Sequence, residues 1–212
     1  MNDIPTNNPA PSGSPASGVI ERAKNIILKP AETWPVIATE PATTQSIYVP
    51  YVLLLAAIGP IAGFIGGQVF GITVFGITYH PPVVGALVSA IVSYGLALGT
   101  VFILALVIDA LAPNFGGQKD SVQALKVAAY SMTAGWVGGI FGFIPALALI
   151  GALFALYGLY LLYLGLPVLM KAPEDKALGY TVVVVVVAIV LFLVAGAIVG
   201  TLAAPSLVSI RG

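Results

Sequence analysis

A chain of 212 residues with eight basic and eight acidic side chains carries too little charge to cover a soluble globule, in which about a quarter of residues are charged. A hydrophobic share of 59% and a mean hydropathy of +1.05 point instead to a polytopic membrane protein, because lipid needs no polar cover. Zero net charge and a pI near 6.5 argue against a nucleic-acid partner, and the lack of cysteine excludes disulfides, thiolate nucleophiles and thiolate metal sites.

In chain order, residues 1–18 are rich in Pro, Asn, Ser and Gly with no apolar core behind a basic stretch, which predicts a disordered tail and not a cleavable signal peptide. Residues 19–46 read as an interfacial amphipathic segment. Val19, Ile20, Ala23, Ile26 and Ile27 recur at helical spacing opposite Glu21, Arg22, Lys24 and Asn25, and this short helix ends at Lys29–Pro30. Such a helix lies on the membrane, either sensing curvature or anionic lipid or anchoring the first span, with Trp34 as an interfacial anchor.

Apolar runs over 47–70, 83–108, 122–141, 144–166 and 179–204 each reach the roughly 20 residues that a helix rising about 1.5 Å per residue needs to cross a bilayer. The third and fourth are separated only by a short stretch around Gly142 and Pro145. One unbroken helix from Val122 to Leu166 would be about twice the hydrocarbon thickness, so a tight hairpin is expected there. The expected fold class is an all-α membrane protein: a five-helix transmembrane bundle over 47–204, the interfacial helix before it and an external tail over 205–212.

Lys and Arg set the expected orientation. Arg22, Lys24, Lys29, Lys119, Lys126, Lys171 and Lys176 share one side of this layout, and Arg211 alone falls on the other. That places the N-terminus and both basic loops in the cytoplasm and the C-terminus outside. Tyr48, Tyr51, Tyr160, Tyr163 and Tyr180 then fall at the cytoplasmic interface, where amphipathic rings collect.

Gly59, Gly63, Gly67 and Gly71 repeat every four residues along the first span, and Gly95/Gly99, Gly135/Gly139 and Gly196/Gly200 repeat the spacing later. Small residues four apart let helix backbones approach closely, serving either homo-oligomerisation or packing within the bundle. Asp109 and Lys126 are the charges at span edges, and a buried charge is costly enough to be a functional suspect. Both reach the interface, so mutual pairing or snorkelling competes with a proton relay. Tyr130, with Tyr94 and Tyr157, sits deeper and either bonds a neighbouring carbonyl or offers a hydroxyl to a cavity.

His80 precedes Pro81–Pro82 in a connection, and one histidine without cysteine makes no ordinary metal site. With no metalloprotease, nucleophile-elbow or phosphate-loop motif, the chain reads as non-enzymatic and calls for no cofactor. Asn114, Lys119, Asp120, Lys171, Glu174, Asp175 and Lys176 gather on one face and offer a protein partner something to read, unless they merely satisfy the helix ends they join. Membrane lipids are the other expected partner. The rival function is a small-solute or proton-coupled transporter or channel using Asp109, which would need a polar path through the spans.

Two stretches resemble a known family. The first runs from Leu111-Ala-Pro-Asn-Phe-Gly-Gly through Lys119 to Ala124-Leu-Lys-Val-Ala-Ala-Tyr130-Ser131; the second runs from Leu156-Tyr-Gly-Leu-Tyr160-Leu-Leu-Tyr163-Leu-Gly-Leu-Pro167 through Met170-Lys-Ala-Pro-Glu-Asp-Lys176 to Tyr180. With the segment from Arg22 to Glu40, they resemble the Yip (Ypt/Rab-interacting protein) domain family, in its bacterial branch of small inner-membrane proteins. The resemblance implies an integral membrane protein with five helices and a cytoplasmic N-terminus. Eukaryotic relatives bind Rab-type GTPases and act in vesicle traffic and membrane shaping; the expectation for this chain stops at the architecture and does not extend to that partner.

Overall fold

A computed structural model describes residues 15–74 and 77–203. Helix α1 (Pro15–Leu28) starts inside the stretch expected to be a disordered tail; the rest of that tail, and the expected tail over 205–212, lie outside the described residues. The helix buries Val19, Ala23 and Ile26, four and three residues apart, and exposes Glu21, Lys24 and Asn25; Ile20, expected on the apolar face, is exposed as well, as is Leu28. Helix α2 (Pro30–Thr39) follows at once, opened by a proline in the first turn, where no intrahelical amide bond is lost. Its face of Thr33, Trp34 and Ile37 is buried, and the helix packs against the long helix over Ala148–Met170.

The first pass is helical from Thr44 to Val69 but is built in pieces. Thr43 and Ser46 exchange side-chain-to-backbone bonds of 3.1 and 2.9 Å, a capping box that starts α3 (Thr44–Ile47). Pro50 cannot donate to the helical ladder, and it lies in a single π turn, Tyr48–Val52. Helices α4 (Leu53–Ala56) and α5 (Ile58–Val69) complete the pass.

The connection that follows departs from a purely helical fold. Gly71, at φ +74, leads into an antiparallel pair, β1 (Ile72–Val74) and β2 (Ile77–Tyr79), with Ile72 opposite Tyr79 and Val74 opposite Ile77. Glycine suits that left-handed backbone, and it lies past the end of α5, so it does not extend the helical glycine stripe as expected.

Helix α6 (Val83–Leu111) returns antiparallel to the first pass. Gln68 donates to the Pro81 carbonyl at 3.1 Å, Tyr94 to the Leu53 carbonyl at 3.0 Å and Tyr48 to the Leu98 carbonyl at 2.9 Å, three ties in descending register. After a 3-10 turn at Ala112–Phe115 comes a segmented stretch: α7 (Ser121–Ser131), α8 (Thr133–Gly138) and a 3-10 turn at Gly139–Phe143. Helix α9 (Ala148–Met170) folds back along all of it, and α10 (Glu174–Ala203) packs against α6 and α9.

Among the described residues, four helical runs are long and apolar enough to cross a membrane: Thr44–Val69, Val83–Phe115, Leu149–Met170 and Glu174–Thr201. The stretch expected as a third continuous span, 122–141, is not one helix. It breaks at Met132 and tightens at Gly139, in a region holding Gly135, Gly138, Gly139 and Gly142, each with low helix propensity. Large apolar side chains face outward along the long helices, among them Leu149 and Leu193, as lipid contact requires. The molecule is a multi-pass membrane protein.

Candidate functional site

One end of the bundle gathers the polar groups. Helix α7 presents Gln123 and Lys126 to the end of α2, whose last carbonyls have no intrahelical donors. Lys126 Nζ donates to the carbonyls of Ile37 (2.8 Å) and Glu40 (2.6 Å), and Gln123 Nε2 donates to that of Ala38 (3.0 Å). Arg22 of α1 reaches the same corner through an ion pair with Glu40 at 2.5 Å. Lys126 is only 2% exposed, so it neither snorkels to water nor pairs with Asp109 as expected. The physical reason is the carbonyl-rich end of α2, which supplies partial negative charge and acceptors to a cation.

Asp109 is only partly buried, but its Oδ1 is buried without a hydrogen-bond partner among the described residues. Beside it, the Ile108 carbonyl accepts the Tyr180 hydroxyl. Tyr130 stands edge-on to both Trp34 and Tyr51, with ring centroids 6.4 and 4.7 Å away, and the Tyr51 hydroxyl bonds Thr133 Oγ1 at 2.7 Å. The expected interfacial anchor Trp34 is fully buried instead. Its indole lies against the backbone of α9 at Gly165, where a Cβ would come within 2.8 Å of the ring, so the missing side chain makes the slot. Tyr51 and Tyr180 are likewise buried, whereas Tyr160 and Tyr163 are exposed.

The two connections at this end meet. The Gln118 amide donates to the Met170 carbonyl at 2.8 Å, Phe115 stacks on Tyr180 at 4.9 Å between centroids, and a Cβ at Gly116 would lie 3.3 Å from Pro173. Asn114, Lys119, Asp120, Lys171, Glu174, Asp175 and Lys176 are all exposed around this junction. Asp120 is also structural: Oδ1 accepts the amides of Val122 and Gln123 at 3.0 Å each and caps α7. Gln123 is not among the residues expected from sequence, although a polar pair three residues apart on an otherwise apolar helix face is a usable signal.

The glycine stripe lies elsewhere. Gly59, Gly63 and Gly67 line a groove of about 890 Å³ whose walls come from α5, α6, α9, α10 and the α7–α8 junction. A Cβ at Gly63 would meet nothing within 4 Å. Where α5 meets the turn at Gly139–Phe143, the tight contacts fall to two other glycines: a Cβ at Gly66 would lie 2.5 Å from the Phe143 oxygen and 2.7 Å from that of Gly142, and one at Gly139 would lie 2.9 Å from Gly59 Cα.

Comparison with curated proteins and with solved structures finds no match to the chain. The family model described as the Yip1 domain matches residues 24–196, from the later half of α1 to the last third of α10. That match takes in the α2 clasp, the paired connections and the groove together, and the chain belongs to the Yip1 domain family.

Proposed function

We infer that this integral membrane protein is non-enzymatic and either organises membrane or recruits a protein partner through the polar end of its bundle. The carrying observation is that the connection over 112–120 and the one over 171–176 are joined by the Gln118–Met170 bond, with exposed charges of both signs around the join. Such a face is fixed in shape before a partner arrives, which lowers the ordering cost of docking. The seven Lys and Arg residues named for the expected cytoplasmic side support a cytoplasmic position for this face in an inner membrane, with five crossings in all.

The test is crosslinking in native membranes followed by identification of bound proteins and lipids, comparing the parent chain with K119E/K171E/K176E. The charge variant is expected to lose bound proteins and keep its lipids. A bound set unchanged by those substitutions would move docking away from this end.

The unpartnered Asp109 Oδ1 is the one observation that favours the transporter reading. Asp109 is not among the residues lining the large groove, which weighs against a carrier path through it. Proton flux in proteoliposomes that vanishes in Asp109→Asn would replace the docking reading with transport.

A further inference from the structure

The large groove is a different place from the polar end, and three observations bear on what fills it. The first is its chemistry. Among the described residues, its lining consists of glycine, alanine and larger apolar residues with a few hydroxyls, those of Ser89, Ser93, Thr100 and Ser131, and contains no Asp, Glu, Lys, Arg or His. A volume of about 890 Å³ lies within the range of about 300–1,000 Å³ typical of small-molecule sites.

The second is its shape. Groove-lining residues on α6 extend from near its start, after Pro82, to Leu104, which at about 1.5 Å per residue is roughly the thickness of the hydrocarbon core. An elongated molecule fills the length of such a space, whereas a compact solute occupies only part of it.

The third is Ser131. It is 5% exposed, lines the groove where α7 ends, and its Oγ has no hydrogen-bond partner among the described residues. A helical serine ordinarily returns its hydroxyl to a carbonyl one turn back, and a buried hydroxyl left unpaired carries a desolvation penalty. Rotation about a single bond can turn this hydroxyl towards the groove that the residue lines. Thr100, another lining residue, is also buried.

We propose that the groove binds one neutral, single-tailed lipid that carries a hydroxyl or carbonyl at its tip, with the tip at Ser131 and Thr100 and the tail running towards Pro81–Pro82. Bulk phospholipid fits less well, because its headgroup is charged and the groove-lining residues carry no charge to meet it. The glycines of α5 and α10 then have a definite role, since Gly63 and Gly196 leave open the width of a hydrocarbon chain, and a Cβ at either would meet nothing within 4 Å.

The lining supplies its own reporter, since Trp136 is part of it whereas Trp34 packs on Gly165. The purified full chain in nanodiscs is titrated with a long-chain alcohol brominated along its tail, a quencher of indole emission. Quenching is expected to saturate and to disappear in Trp136→Phe and in the groove-filling Gly63→Leu. It should persist in Gly95→Leu, which adds the same side chain at an open position off the groove. Ser131→Ala should weaken binding about 2- to 12-fold, the value of one hydrogen bond.

Quenching that rises linearly without saturation, or that is equal in Gly63→Leu, would overturn the proposal. So would equal quenching by the matching brominated fatty acid or by a brominated phosphatidylcholine, because neutrality and a single tail would then confer nothing. A parent chain that runs as a dimer and becomes monomeric in Gly63→Leu would assign the groove to a second copy instead. Loss of docking at the polar end, with saturable quenching intact, would leave this inference standing.

Discussion

Lys126 shows how backbone carbonyls can meet a charge inside a greasy protein. Its ammonium replaces water with the carbonyls of Ile37 and Glu40, and the side chain thereby binds α7 to the end of α2. Removing the donor leaves those carbonyls buried and unpaired, the expensive direction for a hydrogen bond. Lys126→Met, which keeps the stem, should therefore destabilise the fold by about 3 kcal/mol, read as the midpoint of unfolding in mixed micelles titrated with sodium dodecyl sulfate. The same change at exposed Lys171 should leave the midpoint where it is. Equal midpoints for Lys126→Met and the parent would mean that the clasp does not stabilise the fold. Sequence alone marks Lys126 as unusual but does not identify its partners, because Ile37 and Glu40 lie nearly 90 residues earlier in the chain. Trp34 is misread for a related reason: on composition it looks like a boundary residue, and only its long-range contact with Gly165 takes it inside.

Among the elements, the close approach of α5 to the turn at Gly139–Phe143 decides which glycines matter for packing. Membrane helices gain no hydrophobic drive from one another, so their association depends on contact area, and a missing Cβ increases it most where backbones touch. Gly66 meets two carbonyl oxygens of the turn, and neither can move aside as a flexible side chain would. Gly66→Ala should therefore cost about 1–3 kcal/mol through overpacking, while Gly63→Ala should stay within about 0.5 kcal/mol of the parent. Unfolding midpoints for the pair, measured side by side, check this; a Gly63→Ala variant as damaged as Gly66→Ala would mean the groove is closed in the membrane. A repeat of four residues is visible in the sequence, but the glycine of α5 in tightest contact, Gly66, is outside it. Spacing tells which residues share a face and says nothing about what faces them.

At the scale of the whole molecule, the positions of the long apolar runs are readable because lipid imposes a length and a polarity that few other environments demand. The segmented run over 121–143 is not readable in the same way, since its glycines permit several backbone forms and long-range contacts with α5, α6 and α9 select among them. Those with α9 follow it closely. The Gln118 amide meets Met170 at one end, a Cβ at Gly158 would lie 2.9 Å from the Ser131 oxygen midway, and one at Gly151 would lie 3.0 Å from the Gly138 oxygen near the other end. A segment that runs beside a membrane-length helix from end to end covers the same depth, whether or not it is one continuous helix. The count of crossings has a consequence for the termini: four crossings return both ends of the chain to the same side, and five separate them. A phosphatase fused after Gly212 should therefore be active outside the cell membrane, and a green fluorescent protein at the same place should stay dark. Because the native chain has no cysteine, Lys119→Cys and Ile72→Cys give an independent reading with a membrane-impermeant maleimide. Ile72→Cys should label in intact cells and Lys119→Cys only after the membrane is opened. A fluorescent C-terminal fusion would overturn the five-crossing layout and the outward position of the C-terminus.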